Sequence, residues 1–460
     1  MAREDILRTI PSVEHLLNSP DLKIFFERMD RNYITTVVRY EVEEFRKRLT
    51  DGEEMSPQQL LKNIVNELNE LTTPYFTYAI NGLGIVLHTG LGRAPFSRKV
   101  VEALNSVAIG YSRLQIDEEG RRADRYKKIS KLLKIITGAE AGMIVNNNAA
   151  ATLLILNTVA CGKEVIVSRG QLIEIGGSFR IPEVMAQSGA ILHEVGTTNR
   201  THLRDYESAI SEKTAAIMRV HQSNYRISGF TKDVPLEELV ELGRKYNLVV
   251  IDDLGSGALI DFSKYGLPKE PLVQESVERG ADIVCFSGDK LIGGPQCGII
   301  IGRKEYIEKI KKNPLNRALR CDKLTSAALE ATLCLFLKNE EQIIKEHSVI
   351  SILLKPLDLI KRQAKNCVRA LNKQDKIKWT IRESVSEIGG GSLSTEELPT
   401  YVLEIRPKNI PVERLARELR LYQPPIFGRI EKDTLILDFR TVLKGEEKII
   451  ARALNEILRD

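Results

Sequence analysis

No glycine loop in this chain ends in Gly-Lys-Ser/Thr, and neither GLGIVL from Gly82 nor GSGALI from Gly255 completes Gly-x-Gly-x-x-Gly. ATP hydrolysis and simple Rossmann dinucleotide binding are therefore disfavoured. Cysteine is sparse: Cys161, Cys285, Cys297, Cys321, Cys334 and Cys367 are scattered, mostly among apolar neighbours, with no Cys-x-x-Cys pair and no histidine at ligand spacing. This argues against a zinc site or disulfide framework and for reduced, largely buried thiols. No apolar run is long enough to cross a bilayer, and the opening MAREDILRTIPS lacks a basic-then-apolar signal, so a cytoplasmic protein without a membrane partner is expected. Nor does one charge dominate. The 67 Lys and Arg against 62 Asp and Glu leave a net +5, which permits a nucleic-acid partner without demanding one.

What is present is a soluble composition, 43% hydrophobic and 28% charged over 460 residues, enough for two or three domains. Residues 1–73 read as a separate helical domain. Ile34, Val37, Val38, Phe45 and Leu49 recur at helical spacing, as do Leu60, Leu61, Ile64, Val65, Leu68 and Leu71 after the helix-start pair Ser56-Pro57. Arg39, Arg46, Lys47 and Arg48 lie among Glu41, Glu43 and Glu44, which fits a solvated helix face, with a nucleic-acid face as the alternative. Residues 74–345 form the core. Strands are predicted at 141–145, 164–167, 190–195, 215–220, 248–252, 283–286 and 298–301 with helices between most of them, the pattern of an α/β fold with a mainly parallel, doubly wound sheet. Residues 346–460 read as a small α+β domain, with helix over 349–371, strands at 401–405 and 434–439, and a terminal amphipathic helix.

Ligands of such sheets sit beyond the carboxyl ends of the strands. After 141–145 comes Asn146-Asn147-Asn148-Ala149, either an ordinary helix cap or a helix start whose backbone N–H groups receive a phosphate. Ser168-Arg169-Gly170-Gln171 follows the second strand, and the polar run His221-Gln222-Ser223-Asn224-Tyr225-Arg226 follows the fourth. Asp252 and Adjacent Asp253 close the fifth; two carboxylates there are costly unless paired with a metal such as magnesium, a base or a cationic ring. The sixth ends in Ser287-Gly288-Asp289-Lys290. A lysine is thus delivered to the mouth of the sheet, where desolvation and nearby cations free an amine able to attack a carbonyl; a surface lysine in a strand-to-helix loop is the other reading. Gly293-Gly294 would let a partner subunit or an RNA terminus approach the backbone. An earlier glycine-rich loop carries His88 and Arg93, suited to an anion.

A phosphate-binding helix start, an acid at a strand end, and a lysine preceded by a serine three residues back are together what pyridoxal phosphate needs: an anion cradle, a carboxylate for the pyridine nitrogen, and a Schiff-base amine. Their order resembles a fold-type I pyridoxal-phosphate enzyme. Longer strings carry a closer resemblance: HTGLGRAP, SRGQLIEIGGSFRIP, HQSNYRISGF, IDDLGSGALIDFSKYGLPKEP, FSGDKLIGGPQCGIIIGRK and NPLNRALRCDKLT are similar to the bacterial selenocysteine synthase family, the L-seryl-tRNA(Sec) selenium transferases. The similarity spans nearly the whole chain, including a glycine loop at 389–392. Two departures are Asn81-Gly82-Leu83-Gly84, where the family usually has Asn-Ala-Thr-Gly, and Gly90, where it has Asn after His-Thr.

The resemblance implies a fold-type I transferase that converts seryl-tRNA(Sec) to selenocysteinyl-tRNA(Sec) with selenophosphate, through an aminoacrylyl-tRNA held on the cofactor. It implies Lys290 as the cofactor's Schiff-base lysine and, once released, the general base. Asp252 is the expected partner of the ring nitrogen, with Asp253 as the fallback. Asn147, Asn148, Ala149 and Ser287 would hold the cofactor phosphate and Gln171 would lie over the ring. Arg93, Arg317 and Arg320 would hold the selenium donor's anion, the latter two on one helix face, although surface arginines remain the alternative. Asp289 would tune Lys290 or position its partner, and Arg440 has no assigned role. A homo-oligomer is implied, at least a dimer and commonly a decamer with dimers arranged in a pentamer. A related lyase acting on a free amino acid or amino sugar phosphate is the competing reading, and a non-catalytic tRNA-binding protein is a third, which Lys290 and Asp252 oppose.

Overall fold

In the N-terminal part of the chain, helix α1 (Arg31–Thr50) and helix α2 (Pro57–Thr72) are each set by a cap. The Asp30 carboxylate accepts from the Asn32 N–H at 2.9 Å, and the Ser56 hydroxyl from the Gln59 N–H at 3.3 Å. Ile34, Val38, Val42, Phe45 and Leu49 of α1 meet Leu60, Ile64 and Leu68 of α2 in one buried cluster. Val37, Leu61 and Val65 are only partly buried and Leu71 is exposed, so the core stripe is narrower than the apolar pattern. The computed structural model describes residues 10–53, 56–177, 179–222, 224–225, 227–372, 376–391 and 397–458; Ser223 and Arg226 of the polar run and Ser392 of the glycine loop lie outside these. The chain divides into two compact units, Met1–Tyr78 and Ala79–Asp460. The division expected near residue 345 falls inside the second.

That unit is built on a seven-stranded sheet: β1 (Ala141–Val145), β2 (Glu164–Ser168), β3 (Ile191–Val195), β4 (Thr214–Val220), β5 (Val249–Gly255), β6 (Ile283–Ser287) and β7 (Gly298–Gly302). Their spatial order is β1-β7-β6-β5-β4-β2-β3. Strands β2 to β6 pair in parallel, whereas β7 runs antiparallel to both β6 and β1. β1, β6 and β7 are buried at every residue, which is why they read as unbroken apolar runs. The edge strand β3 instead carries His193 and Glu194 and leaves Ile191 exposed, a polar edge that resists further pairing. All seven predicted strands are present. Several run further than predicted, and β5 continues through Asp252 and Asp253 to Gly255. Helix α3 (Asn148–Ala160) leaves β1 and packs its apolar residues on the sheet, while α4 (Leu315–Leu319) is a single short turn.

The C-terminal residues add helix α5 (Ser348–Leu353), helix α6 (Leu357–Arg369), a second sheet and helix α7 (Glu446–Ile457). The second sheet is antiparallel and comprises β8 (Ile377–Glu387), β9 (Glu397–Pro407), β10 (Arg429–Glu431) and β11 (Thr434–Asp438), in the order β8-β9-β11-β10. Only β9 and β11 are anticipated by the sequence, because β8 carries Lys378, Arg382 and Glu383 and shows no clean alternation. Residues 80–87 join this sheet's side of the unit: Ile80 pairs with Ile426, and the Val86 and Leu87 N–H groups donate to Glu387 and Ile388 carbonyls at 2.9 and 2.7 Å. Gly389 faces Ile85 closely enough that a Cβ would stand 2.5 Å from its Cγ2, so the glycine loop closes directly over that segment.

Candidate active site

Lys290 lies in the connection between the adjacent antiparallel strands β6 and β7, not in a strand-to-helix loop. Gly288 N–H donates to Cys297 O and Gly294 N–H to Gly288 O, both at 2.8 Å, and Gly293 N–H closes a turn on Lys290 O at 2.9 Å. The lysine is 4% exposed, and its Nζ makes no hydrogen bond or ion pair with the described residues. Burial, then the Arg93 guanidinium, lower its pKa, against the opposing pull of Asp289, Asp253 and Glu270. A buried amine held toward its neutral form is a nucleophile. The same turn leaves no room for an incoming partner. A Cβ on Gly293 would collide with the His347 ring, and Gly294 faces Gly288, Leu329 and Thr332, so the expected approach of an RNA terminus or second subunit at these glycines is replaced by packing within the chain.

Alternation along β5 separates its two acids. Asp252 faces Arg219, its neighbour across β4, with the guanidinium 3.3 Å from one carboxylate oxygen and Asp252 fully buried. Asp253 faces α3: its carboxylate accepts from Asn148 Nδ2 at 2.9 Å, Thr152 Oγ1 at 3.0 Å and the Gly255 N–H at 3.1 Å. Burial raises the Asp253 pKa despite these donors and despite Lys290. The expectation that Asp252 faces the cofactor does not fit this geometry; the fallback, Asp253, shares a face with Asn148 and an electrostatic environment with Lys290. The two carboxylates diverge, so they do not form a common magnesium site.

At the start of α3, Asn147 caps the helix by accepting from Ala150 N–H at 2.8 Å, leaving the N–H groups of Asn148 and Ala149 at the unpaired first positions. Gly298 sits between this helix start and Ser287: it pairs with Ser287 on one side and Val145 on the other, and a Cβ there would strike the Asn147 carbonyl. The missing side chain lets the Asn147 backbone pack directly on β7, which sets the helix start one strand away from Ser287; its two leading N–H groups suit a phosphate. Together with the unpartnered Lys290 amine and the buried Asp253, it fits pyridoxal phosphate.

Arg93 holds φ 62, unusual for a non-glycine residue, after Gly92 at φ 86. Its N–H closes the loop on His88 O at 3.0 Å, and its guanidinium pairs with Asp289 at 2.5 Å. Its Nε is buried without a hydrogen-bond partner among the described residues. Arg93, Asp289 and Lys290 thus form one cluster. Arg317 and Arg320 do not join it through any ion pair among the described residues, and both are exposed. Nor do they share a helix face, because α4 ends at Leu319 and Arg320 is its extended cap. The segment still reaches the mouth of β1, where Leu319 O accepts from Asn146 N–H at 2.8 Å. Gln171 is buried with Oε1 accepting from Val220 N–H at 3.0 Å, so it closes the end of β4. Arg440 is also buried: it donates to Ile352 and Leu353 carbonyls at 3.0 and 2.9 Å and to the Pro399 carbonyl, fastening α5 to β9. Cys161 is the one exposed cysteine, contrary to the general burial of the others, and all six are free. His221, which opens the polar run after β4, and Glu270, neither given a role by the sequence, pair at 3.4 Å beside this cluster.

A buried lysine past β6, an acid within β5 facing the helix after β1, and a phosphate cradle at that helix define a class, the fold-type I pyridoxal-phosphate-dependent enzymes. A D-glucosaminate-6-phosphate ammonia-lyase structure shares the fold, with TM-score 0.57 and 19% identity over 83% of this chain and 96% of that one. Residues 79–443 match the family model described as L-seryl-tRNA selenium transferase. Curated L-seryl-tRNA(Sec) selenium transferases from Alkaliphilus oremlandii and Carboxydothermus hydrogenoformans are 47% and 45% identical, over all of this chain and 100% and 99% of theirs. The chain belongs to the L-seryl-tRNA selenium transferase family and is accordingly an enzyme that converts seryl-tRNA(Sec) to selenocysteinyl-tRNA(Sec).

Proposed function

We propose that the serine of seryl-tRNA(Sec) loses its β-hydroxyl and takes selenium from selenophosphate at the same carbon, in a site where Lys290 carries pyridoxal phosphate. The cluster of Lys290 with Asp253, the α3 start and the Arg93–Asp289 pair carries this reading. When bound, the cofactor supplies an electron sink for the electrons of the serine Cα–H bond. Asp253 would hold the ring nitrogen's proton, and Asn148, Ala149 and Ser287, with Asn147 shaping the helix start, would receive the phosphate. Lys290 Nζ, as a free amine, would take the Cα proton. Arg93, aimed by Asp289, presents the partly exposed part of its guanidinium to the small anionic selenium donor, with Arg317 and Arg320 as exposed cations for the same anion.

Arg440 favours an esterified substrate over a free amino acid. Its guanidinium is committed to backbone carbonyls and does not clamp a carboxylate, and an aminoacyl ester presents none. The N-terminal helices are assigned to tRNA binding, and the enzyme to a homo-oligomer, at least a dimer and by resemblance a decamer; exposed Ile109 and Tyr111 support assembly. A cytoplasmic location accords with the finding that no helix among the described residues is long and apolar enough to cross a membrane. Incubation with seryl-tRNA(Sec) and with free serine, followed through the cofactor's visible absorbance, tests the reading. The expected response is to the tRNA ester and is lost in Lys290→Ala; a response to free serine alone overturns the substrate, and an unchanged spectrum in Lys290→Ala overturns the lysine.

A further inference from the structure

Glu270 precedes Pro271 at the end of the string that carries Asp252 and Asp253, where it had no assigned role, and the fold returns it to the neighbourhood of the lysine. The turn is tied to the loop after β5, since Leu272 pairs with Ala258 and Val273 N–H donates to Ala258 O at 2.9 Å. The same loop holds the residue after the lysine, with Leu291 N–H donating to Ser256 O at 3.3 Å. Glu270 is 4% exposed. One carboxylate oxygen lies 3.4 Å from Nε2 of His221; the other is buried with no hydrogen-bond partner among the described residues. His221 is fixed in turn by its N–H, which donates to Asp253 O at 2.9 Å.

A carboxylate buried with an unpaired oxygen costs stability, and supporting His221 does not require its charge, because a glutamine would accept from the ring equally well. The charge has a recipient in the site. Arg93 opposes the proton of the Lys290 amine while Asp289, Asp253 and Glu270 favour it, and His221 lies against Glu270. Asp289 is neutralised by Arg93, and Asp253 is turned to α3. Glu270 is the acid whose free oxygen is uncommitted.

We infer that His221 and Glu270 form a positioning pair of this active site, the imidazole orienting the buried carboxylate so that it keeps a proton on the Lys290 amine. This rests on the assignment of Lys290 above. The proton that Lys290 has taken from Cα, held in this way, lets the lysine act next as the acid of the elimination: it passes from Nζ to the serine hydroxyl oxygen as the Cα–H electrons form the Cα–Cβ double bond and the Cβ–O bond breaks, and the oxygen leaves as water with the Cβ–O electron pair.

The test is a pH titration of the visible band of the full-length, cofactor-loaded protein, together with the pH dependence of cofactor uptake by the resolved apoprotein. In Glu270→Gln the band midpoint is expected to fall by on the order of 1 pH unit, since removing a nearby anion disfavours the protonated form. Uptake below the wild-type midpoint should become faster, because more of the amine is free. Glu270→Asp should recover part of the shift, and His221→Gln, which keeps the carboxylate but releases it, should move the midpoint less than Glu270→Gln and in the same direction. Unchanged midpoints in folded Glu270→Gln overturn the pair's role, as do unchanged midpoints in His221→Gln if Glu270→Gln does not fold. Failure of the underlying assignment looks different: the wild type itself then shows no lysine-dependent band.

Discussion

At the residue scale the decisive contrast is between Asp252 and Asp253, neighbours in sequence on opposite faces of β5. Asp253→Asn should weaken cofactor binding and lower turnover on the order of 100-fold or more, the scale of losing one preorganised electrostatic contact. Asp252→Asn should leave the cofactor's absorbance in place but lower the melting temperature, because it strips the partner from Arg219 in a buried pair, worth about 3 kcal/mol when broken. Equal cofactor loss in both variants would refute the division. The sequence shows two acids at a strand end and strand alternation sends them apart, but which face meets α3 depends on the register between β5 and β4, set by Arg219 opposite Asp252. Glu270 was illegible for a related reason. Its importance comes from Ala258 pairing with Leu272, fourteen positions further on, a contact no spacing rule encodes. Lys290, Arg93 and Asp289 were legible because each sits in a local string whose glycines and apolar strand already demand a sheet mouth.

At the scale of an element, the 288–297 connection is held in shape from below by His347. Its Nε2 lies 2.8 Å from Ile292 O, so it donates there, and Nδ1 accepts from Ile350 N–H at 3.3 Å; both ring nitrogens are used by the neutral form. Burial pushes the imidazole from its ordinary 6.5 down to about 4. The unfolded chain therefore binds a proton below its ordinary value that the folded chain refuses. Stability is full above that value and is lost as the pH falls toward the folded one, by about 3 kcal/mol in total from this group. Chemical denaturation across this interval should show that slope, and His347→Gln should flatten it; an unchanged slope would sink the idea. The apolar run of β6 and the glycines after Lys290 made this connection visible in the sequence. The reason for the glycines was not, because a histidine more than fifty residues away occupies the space that a side chain on Gly293 would need.

At the scale of the whole molecule, separate cores permit separate tests. The N-terminal helices bury Ile34, Val38, Leu60, Ile64 and Leu68 among themselves, while the cofactor-site residues all lie within Ala79–Asp460 around the seven-stranded sheet. Each unit thus has the buried apolar surface to fold on its own terms. Removing residues 1–78 should then preserve the visible absorbance of the bound cofactor while weakening seryl-tRNA(Sec) binding about 10-fold or more, a change of roughly 1.4 kcal/mol. If the helices contact the phosphate backbone through Arg39, Arg46 and Lys47, the truncated protein should also show a shallower fall of log affinity with log salt concentration, because fewer counterions are released on binding. Charge reversal at those three positions in the full chain should reproduce that shallower slope without loss of cofactor. Filter binding over a salt series measures both. Unchanged affinity and slope after truncation would assign RNA recognition entirely to Ala79–Asp460, and loss of the cofactor band would mean that the two units do not fold independently.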